Sequence, residues 1–336
     1  VQQQQTSDFY RLGYAVRPEA AGIAGMSFSL SPRVCVIGGA NVDIHGASYQ
    51  PLRLRDSNPG SVHVSPGGVA RNVAENLARL GIDCRLVTAV GKDPHGEMLL
   101  AHGREAGIDM RYVQELESAS TSTYLAVLDR NGDMRAAVAD MDIMDQLTAA
   151  RLQHLRNDIG ETTLLVIDAN LSDDALAWVV NTFPEHDIFA DTVSTAKAMR
   201  LKPYLGTLHT LKTNPAEAEA LTGFDARSGA DLDRIADWIH AQGVRQLFLT
   251  RSEDGLFYST PDERGHVALE QAGNDVRSTT GAGDAFLAAL VYARLQDWPI
   301  DGTLQFAGAA AQITVAHRSP SSPALSLTAI ERTLKL

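Results

Sequence analysis

Short apolar runs alternate along the chain with stretches in which apolar residues recur every three or four positions. Val34-Cys35-Val36-Ile37, closed by Gly38-Gly39, reads as a strand buried on both faces. Over 69–80, Val69, Val73, Leu77 and Leu80 share one helix face, Arg71, Glu75 and Arg79 are expected in water, and Gly81 is a C-terminal stop. The same patterns predict strands at 85–90, 164–168, 188–191, 209–211, 246–250 and 256–258. Helices are predicted at 96–106, 172–181, 215–221, 232–242, 284–295 and 303–315. This alternation describes an α/β fold with a parallel sheet covered on both faces. Such sheets take ligands beyond the carboxyl ends of their strands. One region departs from the pattern: two strand-like runs, Tyr124 to Leu128 and Met134 to Val138, flank Asp129-Arg130-Asn131-Gly132-Asp133, and Asn-Gly between strands signals a hairpin. That hairpin and the polar segment over 41–68 are expected to form a small extra sheet over the ligand edge.

Composition narrows the function. The 336 residues are 44% apolar and 21% charged, which supports a sizeable core and excludes a disordered chain. The formal charge of −12 is the wrong sign for a general nucleic-acid binder or for an anionic membrane surface. No apolar run approaches the roughly 18 residues a membrane-spanning helix needs. An anionic ligand such as ATP would need local positive potential, from helix N-termini, backbone amides or a metal. Cys35 and Cys84 sit in apolar, strand-like stretches without zinc spacing, and read as reduced core thiols of a cytoplasmic protein. The N-terminal stretch over 1–32 has Gln2-Gln3-Gln4-Gln5 but no secretory pattern, and reads as a mobile leader with Met26 as a natural start.

Five motifs carry candidate chemistry. Thr279-Thr280-Gly281-Ala282-Gly283-Asp284 leads directly into an apolar helix. Amides of a glycine-rich turn at a helix N-terminus bind anions, and Asp284 stands where a general base towards a hydroxyl would stand. Lys does not follow, so this is not a P-loop. Gly67-Gly68-Val69-Ala70-Arg71-Asn72 opens the earlier helix, lets a ligand approach backbone, and offers the Asn72 amide to a hydroxyl. Asn41 and Asp43, two apart in extended chain, point to one side and could grip vicinal hydroxyls of a sugar. Asn214-Pro215-Ala216-Glu217 reads equally as a capping box and as a pair near a Mg²⁺ on nucleotide phosphates. Thr250-Arg251-Ser252-Glu253-Asp254-Gly255 is a turn after a strand. A Rossmann oxidoreductase would need GxGxxG after the first strand, and Gly38-Gly39-Ala40-Asn41 does not supply it.

Together these motifs resemble the PfkB, or ribokinase-like, family of sugar and nucleoside kinases, over about 33–330. The resemblance implies a Rossmann-like three-layer α/β/α sandwich with a small β-sheet lid. It implies one kinase domain over 33–336 with lid segments near 43–66 and 119–140. Carried onto this chain, it makes Asp284 the catalytic base and the amides of Ala282, Gly283 and Asp284, with Gly281, the anion hole. Asn41, Asp43, Gly67, Gly68 and Asn72 become sugar contacts. Asn214 and Glu217 become the pair that organises Mg²⁺ through water. Thr250, Ser252 and Gly255, with Gly281, Gly283 and Asn214, become part of the ATP site. Ser278 stands where the family has an Asp that helps hold an activating monovalent cation, so K⁺ does not carry over directly, and Ser252 replaces a usual Gly. Asp56-Ser57-Asn58-Pro59-Gly60, Ala40 to Ile44, Asp140-Met141 and Val166 to Asn170 resemble the branch acting on pseudouridine. That resemblance implies phosphorylation of a 5′-hydroxyl, with Ser57, Asn58 and Asn170 near the base. Adenosine, ribose and 2-keto-3-deoxygluconate are the alternative acceptors, and a non-catalytic nucleoside sensor is the alternative class. Lid-mediated homodimers are common among similar proteins, so a homodimer is expected.

Overall fold

The structure is a computed structural model and describes residues 33–251, 254–268, 280–317 and 319–334. The expected leader over 1–32, Ser252 and Ser278 lie outside the described residues.

Among the described residues fourteen strands follow in chain order: β1 (Arg33–Ile37), β2 (Asn41–Ser48), β3 (Gly60–Gly67), β4 (Asp83–Val87), β5 (Ala89–Gly91), β6 (Gln114–Leu116), β7 (Thr123–Leu128), β8 (Met134–Asp140), β9 (Leu164–Asp168), β10 (Asp187–Asp191), β11 (Thr210–Thr213), β12 (Gln246–Thr250), β13 (Leu256–Ser259) and β14 (Arg264–Val267). The main sheet has the order β14-β13-β12-β11-β10-β9-β1-β4. Alternate residues of β1 enter different cores: Val34 and Val36 pack into one, Cys35 and Ile37 into the other. The first core takes Leu77 of α1 (Val69–Arg79). The second takes Leu176 of α2 (Asp173–Thr182), Leu221 of α3 (Pro215–Thr222) and Ile235 of α4 (Gly229–Ala241). Phe286 of α5 (Ala282–Leu295) and Phe306 of α6 (Ile300–Val315) complete the first layer. Two helix layers thus enclose the sheet.

The sheet is mixed rather than wholly parallel. β4 to β12 run parallel within it, but β13 and β14 are antiparallel to their neighbours. The turn between β12 and β13 explains this, because a parallel return needs a crossover of roughly a dozen residues or more and the chain reverses tightly, with Arg251 N–H on the Gly255 carbonyl at 2.8 Å. The strand expected over 85–90 is two strands: the chain changes sheets at Thr88, and β5 pairs with β6. Arg71 and Glu75, expected in water, are buried. Ser321 and Pro323 lie against that face, accepting from Arg71 and Arg79, so the polar side of α1 is interior.

A second sheet, in the order β3-β2-β7-β8, forms the lid. The chain leaves β1 through Gly38-Gly39-Ala40, enters β2, and returns through Gly68 into α1. The lid is therefore rooted at the carboxyl end of β1. Its register pairs Asn41 with Gly67 at the root and Ser48 with Gly60 at the far end.

Candidate active site

The charged groups of the site stand where parallel strands end. Asp168 closes β9. Its Oδ2 accepts the N–H groups of Gly39 and Ala70, each at 2.9 Å, and its Oδ1 accepts that of Asn170 at 2.9 Å. One carboxylate thus caps α1 from a distant strand and pins the turn into the lid. A Cβ at Gly38 would lie 2.5 Å from Asp168 Cγ, which is why only glycine fits there. Burial holds the Asp168 carboxyl above the ordinary carboxylate range, against the pull of those N–H groups.

Asp284 lies in the first turn of α5. Gly281, the N-cap, takes the left-handed conformation at φ 84, and a Cβ there would run into the Pro320 carbonyl. Asp284 Oδ2 accepts from Asn72 Nδ2 at 2.7 Å. Beneath it, Asp191 at the end of β10 pairs with Lys212 of β11 at 2.9 Å. Lys212 Nζ would be 2.5 Å from a Cβ on Gly283, so the ammonium sits directly against the glycine turn. Burial, then the Asp191 charge, push the Asp284 carboxyl up, while Lys212 and Asn72 pull it back, and the balance is about 7. Burial works to lower the Lys212 ammonium, but Asp191 and Asp284 overcome it and hold it above its ordinary range. Val193, whose N–H donates to Asp191 Oδ1 at 2.7 Å, has φ 64. A β-branched residue in that region costs about 1–3 kcal/mol and is found where a site over-determines the backbone.

Asn41 and Asp43 face the same way, with Asn41 Nδ2 donating to Asp43 Oδ1 at 2.6 Å. The Asp43 carboxylate fills the space a Gly67 Cβ would need, and burial raises its pKa. Gly68, at φ 96, packs its Cα face against Gly39 and Ala40. The structure therefore brings together Asn41, Asp43, Gly67, Gly68, Asn72, Asp284 and the amides of Ala282 and Gly283 around the carboxyl edge of the sheet. Asn170 joins them beside Gly39, its Oδ1 accepting from Lys197 Nζ at 2.5 Å.

Asn214 and Glu217 form a full capping box on α3: Asn214 Oδ1 accepts the Glu217 N–H at 3.0 Å, and Glu217 Oε2 accepts the Asn214 N–H at 3.1 Å. Glu217 Oε2 also accepts from Thr192 Oγ1 at 2.5 Å, and burial raises its pKa. Among the described residues no three His, Cys, Asp or Glu side chains gather as a direct metal cage. With Asn214 Oδ1 and one Glu217 oxygen already engaged, the pair fits a hydrated Mg²⁺ held through water and phosphate rather than by direct ligation. Thr250 Oγ1 donates to the Thr213 carbonyl at 3.3 Å, and Gly255 takes φ 83 in the turn after it.

Ser57 and Asn58 are not brought to this group within one chain. They sit in the loop at the far end of the lid, roughly 23 Å along β2 from its root at about 3.3 Å per residue. Asn58 spends its amide on that loop, bonding the Arg53 N–H and the Arg53 and Asp56 carbonyls. The motifs assign no role to Asp168, Asp191 or Lys212, although Lys212 opens the run that ends at Glu217 and Asp168 lies within Val166 to Asn170. A charge ending or interrupting an apolar strand, as in Ile188-Phe189-Ala190-Asp191, is the signal that marks them.

Comparison with known proteins places the family and the fold. The model of the pfkB family of carbohydrate kinases matches residues 31–327. Pseudouridine kinase of Escherichia coli (strain K12) is 35% identical over 88% of this chain and 94% of its own length. The uncharacterized sugar kinase YeiI of the same strain is 38% identical over 87% of this chain and 80% of its own length. Arabidopsis thaliana ribokinase, solved with ribose and ATP, has a TM-score of 0.80 at 21% identity, covering 91% of this chain and all of that one, so the sandwich and lid are ribokinase-like. With the family match running through nearly every described element, the chain belongs to the pfkB family of carbohydrate kinases.

Proposed function

We propose that this kinase transfers the γ-phosphoryl group of ATP to the 5′-hydroxyl of pseudouridine. The observation that carries the transfer step is Asp284: a buried carboxyl poised near pH 7, in the first turn of α5 and beside the Asn72 amide. Asp284 accepts the proton of the acceptor hydroxyl as that oxygen bonds to the γ-phosphorus. The bond from phosphorus to the β–γ bridging oxygen breaks, and ADP leaves with the electron pair. The amides of Ala282, Gly283 and Asp284, with the α5 dipole and the Lys212 ammonium below, meet the charge spread over the transferred group. Asn41, Asp43, Gly67, Gly68 and Asn72 hold the sugar, and Asn170 faces the base. Thr250 and Gly255 belong to the nucleotide side. Mg²⁺, held through water at Asn214 and Glu217, would supply neutralisation of phosphate charge.

Pseudouridine is favoured by the relative that carries that name over nearly its whole length. The similarity to a sugar kinase supports a second reading, a simple sugar as acceptor. Pseudouridine, uridine, adenosine and ribose offered side by side with ATP and Mg²⁺ separate them: preferred turnover of pseudouridine supports the first, and ribose alone supports the second.

The partner is a second copy. One lid face presents the cross-strand row Val64, Ile44, Leu125 and Val138, of which Val64, Leu125 and Val138 are exposed, with Val62 beside them. An apolar sheet face of this kind marks an interaction surface. Leu125→Glu is expected to convert a dimer to a monomer in analytical ultracentrifugation; a wild-type monomer removes the proposal. Free, buried Cys35 and Cys84 suit the reducing cytoplasm, and no described helix is long and apolar enough to cross a membrane.

A further inference from the structure

Arg71 is one of the largest side chains wholly enclosed by the fold. A buried guanidinium is costly unless its donors are met. Here each nitrogen is committed. Nε donates to the Gly67 carbonyl at 3.1 Å and Nη1 to Glu75 Oε2 at 2.7 Å. Nη2 donates to Asn72 Oδ1 at 2.5 Å and to Ser321 Oγ at 2.9 Å. Glu75 is held in turn by Arg79 at 2.6 Å.

The two ends of an asparagine amide are alike in shape, so only its partners decide which end points where. A guanidinium donates and never accepts. Arg71 therefore claims the Asn72 oxygen and leaves the NH₂ facing Asp284 Oδ2 at 2.7 Å. The reversed amide would set NH₂ against N–H and oxygen against carboxylate.

We propose that Arg71 is a positioning residue for phosphoryl transfer: its fork orients Asn72, which holds Asp284 by Oδ2 and leaves the other carboxylate oxygen to the acceptor hydroxyl. This rests on Asp284 as the base. A merely structural Arg71–Glu75 ion pair would join the 321–323 segment to α1 and leave turnover per folded molecule untouched.

Steady-state kinetics and thermal melts of Arg71→Lys, Asn72→Ala, their double mutant and Ser321→Ala separate these roles. Lysine keeps the charge but cannot reach Glu75, Asn72 and Ser321 with one planar fork. The expected loss for Arg71→Lys is about 10- to 100-fold in kcat, with KM for ATP changed less than about threefold. In kcat the double mutant is expected within about twofold of Asn72→Ala alone, because Arg71 reaches the acid only through Asn72; the loss of Asn72 itself also raises KM for the acceptor. The acid limb of kcat moves to higher pH as Asp284 loses its oriented donor. The groups that set that limb are Asp191 and Lys212 from β10 and β11, Asp168 from β9 and Arg71 itself. Ser321→Ala, which removes one partner of the same fork and a longer donor to Asn72 Oδ1 at 3.4 Å, gives about a threefold kcat loss with the same limb movement and carries the test if Arg71→Lys does not fold. Multiplying kcat losses in the double mutant, an Arg71→Lys loss carried by KM, or an unmoved kcat in Arg71→Lys overturn the inference. A wild-type chain that phosphorylates no acceptor in the panel overturns the acceptor assignment instead, whereas an active chain indifferent to Arg71→Lys and Ser321→Ala overturns only this inference.

Discussion

Two helices of this molecule begin behind glycine, and their first turns are treated in opposite ways. At α1 the protein supplies the acceptors: Asp168 Oδ2 takes the Ala70 N–H and the Gly39 carbonyl takes that of Arg71. At α5 no side chain among the described residues caps Gly281 or the amides after it, and an acid, Asp284, rides in the turn itself. A helix N-terminus carries roughly half a positive charge and unpaired N–H groups. Filling it with a carboxylate makes an anchor; at α5 the proposed occupant is the transferred phosphate. Asn72 joins the two, since it belongs to the closed helix and touches the acid of the open one.

The sharpest way to break this comparison is at the open end. Asp284→Asn is expected to lower kcat by about 10³-fold, the range of a lost general base, with ATP binding by calorimetry largely kept. Turnover near wild type would move the base elsewhere. Next comes the shape of the open turn. Gly281→Ala places a Cβ against the Pro320 carbonyl at a positive φ, and is expected to cost about 30-fold in kcat by displacing the amides. Equal damage to folding and no damage to kcat would show that the turn holds nothing.

At the closed end the effect is expected in stability instead. Asp168→Asn replaces an acceptor oxygen by a donor opposite N–H groups, and should cost about 2 kcal/mol in denaturant unfolding. A loss confined to kcat would erase the distinction between the two helices.

The smallest expected effect is a pH signature. The Asp284 carboxyl is lifted from 3.8 to about 7, so its ionised form is disfavoured in the folded chain. The sign follows from linkage: the stability this group confers is complete below 3.8 and is lost as pH rises to about 7. Asp284→Asn should therefore raise the melting temperature by about 3 °C at high pH and leave it unchanged in acid. Turnover of the wild type should rise through pH 7 over the same window, as the base ionises. A melting gain equal at both pH values would detach the carboxyl from the burial argument.

Much of the frame was legible beforehand. The apolar run at Val34–Ile37 and the helical spacing of Val69, Val73 and Leu77 specify local structure because each depends on neighbours within a turn or two. The Asn-Gly hairpin and the Asn214–Glu217 capping box are likewise local, and both stand in the structure. The antiparallel edge at β13 was hidden because apolar runs look alike in either direction. Arg71 and Glu75 read as a solvated face, since nothing near them in the chain announces the 321–323 segment that covers them. Ser57 and Asn58 looked like ligand contacts, but the lid register carries them to its far end.

Periodicity, caps and glycine turns, all short-range, were enough to place two anion-shaped helix starts on an α/β chain. They could not say that Asn72 and Asp284, 212 positions apart, would meet. Nor could they supply the poise of Asp284, which is a sum over burial and over Asp191, Lys212 and Asp168. Those charges reach one point only because parallel strands bring their carboxyl ends to the same edge. Hydrogen-bond orientation and electric field are properties of assembled neighbours, and the fold alone assembles them.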